Sequence, residues 1–299
     1  MSNNPIIFED ISPADKDEIT RYTLRSPRRT SDISFSNLCS WRFMYATQYA
    51  IADDFLLLKF YADGTRYYLL PVGEGDKRHI IERLMEDARI EGQPFRMLGV
   101  YEEAIGELNT LFPQVFRFHA DRDYSDYIYL RTDLATLPGK KLQPKRNHVN
   151  KFRRTYAYEY LPLTADRVQE CLVLEEVWCR MNNCDQQEGT GNERRALVYA
   201  LEHFDELGLS GGLLHVDGQI VAFTFGMPIN GDTFGVHVEK ADTRYDGAYA
   251  MMNYEFANHI PQQYTYVNRE EDLGLEGLRR AKLSYQPAIL LTKYEATLI

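Results

Sequence analysis

Residues 212–227 read GLLHVDGQIVAFTFGM, and residues 55–70 read FLLLKFYADGTRYYLL. Each is a pair of apolar runs joined across Asp-Gly. A type I′ turn needs positive φ at both central residues, which Asp-Gly adopts easily, so each stretch is predicted to be a hairpin. Working outward from the second hairpin, the pattern predicts a strand at Thr233–Glu239, a helix from Gly247 to Ile260, a strand at Tyr264–Val267, a helix at Leu275–Lys282 and a closing strand at Ala288–Tyr294. Before it come a helix over Pro144–Tyr156, a short strand at Glu159–Pro162, a helix over Asp166–Met181 and another over Glu193–Glu206, ending near Gly208. Around the first hairpin the pattern predicts helices from Ser12-Pro13 to about Leu24 and over Asn37–Tyr45. An amphipathic helix follows at Asp76–Arg89, with Ile80, Ile81, Leu84, Met85 and Ala88 on one face. Strands follow at Phe95–Val100, Val115–His119 and Tyr127–Leu130. Each half thus mixes helices with an Asp-Gly hairpin and further strands. The expectation is a duplicated α/β unit of α+β type with mixed sheets, divided near Asp133–Gly139 into residues 1–138 and 139–299.

The chain has 299 residues, 44% hydrophobic and 13% aromatic with 21 Tyr, which is enough for full cores. No apolar run approaches the roughly 18 residues of a membrane span, and the N-terminus has no signal-peptide pattern. Cys39, Cys171, Cys179 and Cys184 form no C-x-x-C pair. Cys171 and Cys179 are eight residues apart on one predicted helix, too far to bond each other. All four read as plain thiols, and the expectation is a cytoplasmic protein without a metal site.

The charge is unevenly spread. Residues 140–154, KKLQPKRNHVNKFRR, hold seven Lys or Arg and no acid, inside a chain of 34 basic and 44 acidic side chains with net charge -10. Such an island makes a local positive field suited to phosphates, or else a solvated face paired with acidic neighbours. Helical spacing puts Arg146, Asn150 and Arg153 on one face as candidate phosphate contacts, with His148 as a candidate proton shuttle or plain hydrogen-bonder.

KRNHVNKFRR at 145–154, the hairpin and strand at 212–239, and EDLGLEGLRRAKLSYQP at 271–287 together resemble the DUF2156 family. That family is similar to the C-terminal domain of phosphatidylglycerol lysyltransferases. The resemblance implies two tandem GNAT-like folds of the Fem-type aminoacyltransferase group. It further implies aminoacyl transfer from aminoacyl-tRNA, whose acceptor end would be a partner, to an amine or hydroxyl acceptor, either a small molecule or a lipid headgroup. It implies no bound cofactor. Acyl-CoA is the alternative donor. CoA-dependent relatives seat the pyrophosphate on R/Q-x-x-G-x-G/A, and here Arg244-Tyr-Asp-Gly247-Ala-Tyr249 fits at Arg244 and Gly247 but ends on a bulky Tyr249. A non-catalytic module that binds an anionic ligand is the third reading.

Acyl transfer needs a base for the acceptor, charge or N–H donors for the oxyanion, and an acid for the leaving oxygen. No nucleophile elbow is predicted, since Gly208-Leu-Ser-Gly-Gly212 leads from a helix into a strand rather than from a strand into a helix, so direct attack in a ternary complex is expected. Glu175 falls within an apolar arc of Val168, Cys171, Leu172, Trp178 and Cys179, where it serves either as a base or as the core partner of an Arg. Glu255 falls in a similar arc. Glu239 ends its strand, and His237 is placed by alternation on the same side. In the last motif, Asp272 suits an α-amino group, Arg279 and Lys282 share a helix face suited to a phosphate or oxyanion, and Tyr285 follows.

Overall fold

The computed structural model describes residues 5–62, 64–182 and 188–299; Asp63 of the first predicted turn and Cys184 lie outside them. Two mixed sheets carry the chain. The first runs from edge to edge through Glu9–Asp10, Gln48–Ala52, Phe55–Ala62, Thr65–Leu69, Arg96–Val100, Tyr294–Leu298 and Phe116–Ala120, with Val72–Gly73 paired to Phe55–Ala62. The second runs Ile289–Leu291, Asp126–Leu130, Tyr266–Asn268, Thr233–Ala241, Gln219–Pro228, Ser210–Val216 and Tyr158–Leu163. One pairing in each sheet is parallel, Thr65–Leu69 with Arg96–Val100 and Thr233–Ala241 with Tyr266–Asn268. The mixed α/β architecture is as expected. Each sheet also takes one strand from the far side of residue 138: Asp126–Leu130 lies in the second and Tyr294–Leu298 in the first.

Three cores follow from this layout. Helices Lys77–Ile90 and Glu102–Leu111 cover one face of the first sheet through Ile80, Leu84, Ala104 and Leu108. Helices Ala248–His259 and Gln143–Thr155 cover one face of the second through Met251, Phe256, Val149 and Phe152. Between the sheets, Leu56 and Leu58 share a core with Phe223 and Phe225, with Phe35 of helix Phe35–Ser40, Leu174 of Val168–Asn182 and Leu197 of Glu188–Glu202.

The Asp217-Gly218 turn is as expected, with φ of 51° and 77°. Several expected elements are subdivided. Asn37–Tyr45 is two helices, Phe35–Ser40 and Arg42–Tyr45, broken at Trp41. The expected helix to Glu206 ends at Glu202, and a separate turn, Phe204–Leu207, reaches the left-handed cap Gly208. The expected strand 288–294 is two strands in different sheets, parted at Thr292-Lys293. Cys39 and Cys171 are free and buried. Cys179 is disulfide-bonded, which corrects its reading as a thiol: helical spacing excluded only Cys171 as its partner. Among the described residues no helix is long and apolar enough to cross a membrane.

The feature that matters most for a site is a bulge. Strand Thr233–Ala241 pairs Val238 with Phe225 and Val236 with Gly226, leaving His237 as an extra residue. Gly226 permits this, since a Cβ there would lie 1.8 Å from the Gly235 carbonyl oxygen. Gly226→Ala is therefore expected to cost about 2–3 kcal/mol in urea unfolding. Gly277→Ala, whose methyl would meet nothing within 4 Å, should be neutral or stabilising. Equal stability of the two variants would contradict the account of the bulge.

Candidate functional site

Strand Thr233–Ala241 is nine residues long, but its parallel neighbour Tyr266–Asn268 pairs only with Thr233, Phe234 and Gly235. Beyond Gly235 the two chains separate. The wedge between them is filled by side chains from His237 and Glu239 on one arm and Arg269 and Glu270 on the other. His237 sits between the Ser34 hydroxyl at 2.8 Å from Nε2 and the Glu270 carboxylate at 2.8 Å from Nδ1. Asn37 donates to the same Glu270 oxygen at 2.7 Å. Glu270 holds this position with φ of 60°, its amide donating to Asn268 Oδ1 at 2.7 Å.

Glu239 has separate partners. Alternation placed it beside His237 as one pair, but the bulge breaks alternation between them. Arg269 donates to Glu239 Oε1 at 3.1 Å, and Asn253 of the covering helix donates to Oε2 at 3.3 Å. The Arg269 guanidinium lies 4.9 Å from the Tyr285 ring centre and 5.7 Å from that of Tyr129. The Lys145 ammonium, from the basic helix, lies 4.1 Å from the same Tyr285 ring. The basic helix and the C-terminal segment thus meet at Tyr285. Burial and then the charge of Arg269 pull the Lys145 pKa down, with Glu239 acting the other way. Burial opposes the charge on Arg269 too, but Glu239 and the two tyrosines outweigh it and raise its pKa. Two buried polar atoms here lack a partner among the described residues: Arg269 Nη1, a donor, and Asn253 Oδ1, an acceptor.

The other sequence candidates fall into separate places. Asp272 is fully buried and already saturated. Arg279 donates to it from Nε and Nη2, both at 2.8 Å, the Tyr127 hydroxyl at 2.5 Å and the Gly274 amide at 2.9 Å. Arg279 first, and Tyr127 after it, hold the Asp272 carboxyl far below the usual range against its burial. Lys282 points away from Arg279, donating to the carbonyls of Arg269 and Glu271 beneath the wedge. Burial pushes its pKa down to about 8. Glu175 lies on the opposite face of the long strand from Glu239, near Lys240, which pairs with Glu193 at 2.8 Å. Burial raises the Glu175 carboxyl, opposed by the charges of Lys240 and Arg194, and among the described residues its Oε2 has no hydrogen-bond partner. Glu255 accepts from the Tyr158 hydroxyl at 2.9 Å.

Most of the basic island is engaged locally. Arg146 donates to the carbonyls of Leu137 and Gly139, and Arg153 lies over Tyr254, 3.7 Å from Glu255. His148 and Lys151 face Asp246, while Asn150 is exposed. Arg244 is chelated by Asp242, with its Nη2 2.5 Å from Oδ2. Gly247, with φ of 90°, abuts the basic helix so closely that a Cβ would lie 3.0 Å from the His148 carbonyl oxygen. The loop that would cradle a pyrophosphate is thus covered by Gln143–Thr155, and the Ala248 amide already donates to Tyr245 O at 3.0 Å. Sequence reasoning missed Arg269, Glu270, Lys145, Asn253 and Tyr129. Of these, Lys145 carried a signal as a member of the island, and Arg269 and Glu270 as the residues that lead into the C-terminal motif.

The wedge, two mixed sheets and a strand exchange invite comparison with known proteins. The family described as phosphatidylglycerol lysyltransferase, C-terminal, matches residues 24–297. The chain belongs to this family. A crystal structure of a conserved protein of unknown function from Bacteroides thetaiotaomicron is 64% identical, with TM-score 0.96 over 98% of this chain and 100% of that one. The C-terminal domain of a protein assigned as a lysylphosphatidylglycerol synthetase from Agrobacterium fabrum is 14% identical, with TM-score 0.69 over 96% and 92%. FemX is 9% identical, with TM-score 0.64 over 97% of each chain. The last two likenesses concern the fold, and they agree with the Fem-type resemblance read from the sequence. An uncharacterized protein of Mycoplasmoides gallisepticum is 26% identical over 175 residues, 57% of this chain, and the match spans about half (55%) of that relative's length.

Beneath the wedge, Lys293 joins Glu271 to Asp32 at 2.8 Å and Asp126 at 3.1 Å. Burial raises the Glu271 carboxyl from its ordinary 4.5 to about 8; Lys293 opposes the rise, while Asp126 and Asp32 add to it. The folded chain then holds a proton that the unfolded chain releases. This contribution to stability is complete below pH 4.5 and is lost as pH rises through about 8. Between those limits the wild type should lose up to about 1.4 kcal/mol per pH unit relative to Glu271→Gln. Urea titrations across that range check this, and parallel curves for the two proteins would contradict it.

Proposed function

We propose that this protein transfers an aminoacyl group from aminoacyl-tRNA to an amine or hydroxyl acceptor, in the cytoplasm, with the wedge as the reacting centre. The observation that carries the reading is the pair of unpartnered buried atoms, Arg269 Nη1 and Asn253 Oδ1, on either side of the Glu239 carboxylate. An aminoacyl ester carries a matching pair, a carbonyl oxygen that accepts and an α-ammonium that donates. Asn253 Oδ1 and Glu239 take the ammonium. Arg269 donates to the carbonyl oxygen and stabilises the oxyanion as the acceptor attacks. The bond from acceptor to carbonyl carbon forms, the ester bond to the ribose oxygen breaks, and the acceptor's proton passes to that oxygen. Lys145, whose pKa is lowered, relays the proton. The family's name concerns lysyl transfer to phosphatidylglycerol, which supports the reaction class and leaves amino acid and acceptor to experiment.

Acyl-CoA is the less favoured donor because the loop at Gly247 is covered and its Arg244 is neutralised by Asp242. For tRNA phosphates the free cations are few. Lys140, Lys141 and Arg154 are exposed and have no carboxylate partner among the described residues. Three phosphate contacts predict a log–log salt dependence of tRNA affinity with slope of about -2 to -3. Filter binding at several salt concentrations measures it, and a flat response would remove the tRNA from the reading.

The activity test follows release of labelled amino acid from a mixed pool of charged tRNA, with lipid and small-molecule extracts supplied as acceptors. Wild type should turn over, and Glu239→Gln should lower kcat/KM about 100-fold while retaining the fold. Equal turnover in Glu239→Gln would move the reacting centre elsewhere. Binding of the charged tRNA without turnover by the wild type would favour a non-catalytic module.

A further inference from the structure

His237 is the extra residue of the bulge, and its ring has a prepared seat. Gly226 lets the facing strand admit the bulge, and Gly235 leaves room for the ring: a Cβ on Gly235 would lie 3.0 Å from His237 Cε1. The Ser34 hydroxyl and the Glu270 carboxylate each lie 2.8 Å from a ring nitrogen, and the side chain is 4% exposed. A carboxylate only accepts, so Nδ1 carries the ring proton and donates it to Glu270. In the neutral ring Nε2 then accepts from the Ser34 hydroxyl. The ring is thereby held in one tautomer and one orientation, with no nitrogen left to offer a substrate.

Glu270 is what the ring holds. Its φ of 60° is a left-handed conformation that glycine takes freely and glutamate takes at a steric cost. Such a residue persists where its surroundings over-determine it. On the backbone, its amide donates to Asn268 Oδ1 at 2.7 Å and its carbonyl accepts from the Tyr127 amide at 3.1 Å. On the side chain, Asn37 and His237 both donate to Oε1. Arg269 is the preceding residue, tied by its amide to Tyr127 O at 2.9 Å, and its guanidinium reaches Glu239. The turn at Glu270 therefore sets the direction in which the Arg269 side chain leaves the backbone. Ser34 and Asn37 lie at the opening of helix Phe35–Ser40, whose Ser36 amide donates to Met227 Sδ at 3.1 Å, and Met227 pairs with Gly235 beside the bulge. One short helix of the N-terminal half thus reaches both arms of the wedge.

We propose that His237 is a positioning residue for aminoacyl transfer, acting through Glu270 to hold the Arg269 guanidinium on the reacting carbonyl; the assignment rests on the transfer reading above. Ser34, His237 and Glu270 stand in the hydroxyl–imidazole–carboxylate order of a hydrolase triad. Ser34 is 1% exposed, so its hydroxyl meets no substrate, and the array fixes geometry instead of supplying a nucleophile. The decisive bond is Nδ1–H to Glu270. An asparagine at 237 puts an amide N–H near the place of Nδ1, and a glutamine puts one near Nε2. The two amides therefore separate the bond to Glu270 from the bond to Ser34. An arginine held off its mark by about 1 Å stabilises the oxyanion less, which slows the chemical step more than it weakens binding.

Steady-state kinetics with the charged tRNA pool, and crystal structures of the variants, test the assignment. His237→Ala and His237→Gln should lower kcat at least about tenfold with KM within about twofold of wild type. His237→Asn should restore most of that loss. Gly235→Ala, which crowds the ring and removes none of its partners, should lower kcat as His237→Gln does. Thermal unfolding shows which variants are folded, and His237→Gln with Gly235→Ala keeps the test open if His237→Ala does not fold. In crystals of His237→Gln, Glu270 should leave the left-handed region and the Arg269 guanidinium should part from Glu239. The assignment is overturned if Arg269 stays on Glu239 in that crystal, if kcat is unchanged in His237→Gln, or if glutamine restores activity as well as asparagine. Absence of turnover in the wild type would instead sink the transfer reading, and the place of Arg269 in the His237→Gln crystal then decides the link from His237 to Arg269 by itself.

Discussion

The rest of the structure depends on the burial of one ammonium. Lys293 stands where the chain leaves the second sheet after Ile289–Leu291 and enters the first as Tyr294–Leu298. Its charge is removed from water and balanced by Asp126 and Asp32, with the Glu271 carboxyl beside it. Asp126 starts the strand that crosses in the opposite direction, and it also accepts from the Ser31 amide at 2.7 Å and from Asn268 at 2.8 Å. Burial works against the lysine's charge, and the three carboxylates, Asp126 foremost, raise its pKa well above the ordinary value. Removing one partner from such a cluster strands the remaining charges in a dry interior, at a cost of about 3–5 kcal/mol. The two sheets are therefore held in one arrangement by electrostatics at the point where they trade strands.

That arrangement supports the wedge directly. Asn268, bound to Asp126 and to the Arg29 carbonyl, is the last residue of the short parallel strand, and the next two residues carry the wedge's Arg269 and Glu270. Lys282 clamps the carbonyls of Arg269 and Glu271 from below. The bulge at His237 sets the opposite arm. Arg269 and Glu239 thus sit on supports that packing and buried hydrogen bonds restrict to one geometry, as preorganised chemistry requires. The saturated Asp272–Arg279 pair belongs to the same scaffolding, tying the helix Glu276–Leu283 to Tyr127.

The charge pattern has a similar two-part outcome. Seven cations in fifteen residues suggest a phosphate-binding face, yet Arg146 caps carbonyls and Arg153 and Lys151 pair with Glu255 and Asp246. What remains is a small exposed set and one inward cation, Lys145.

The sequence by itself determined the elements that rest on local forces. The two Asp-Gly hairpins, the amphipathic helix at 77–90, the basic helix and the mixed α/β class all follow from turn chemistry and periodicity. The meeting of the basic helix with the C-terminal motif was also legible, although through Lys145 and Tyr285 rather than through Arg146 and Arg279. Tertiary structure alone decided the rest. The run 288–294 reads as one strand because its residues favour extension, but it parts at Thr292-Lys293, where Lys293 turns onto Asp32, Asp126 and Glu271. Alternation pairs His237 with Glu239 until the bare backbone of Gly226 lets the facing strand admit an extra residue. Asp272 and Arg279 look like free chemistry in the sequence, and they saturate each other because spacing along a chain says nothing about which opposite charge lies within 3 Å.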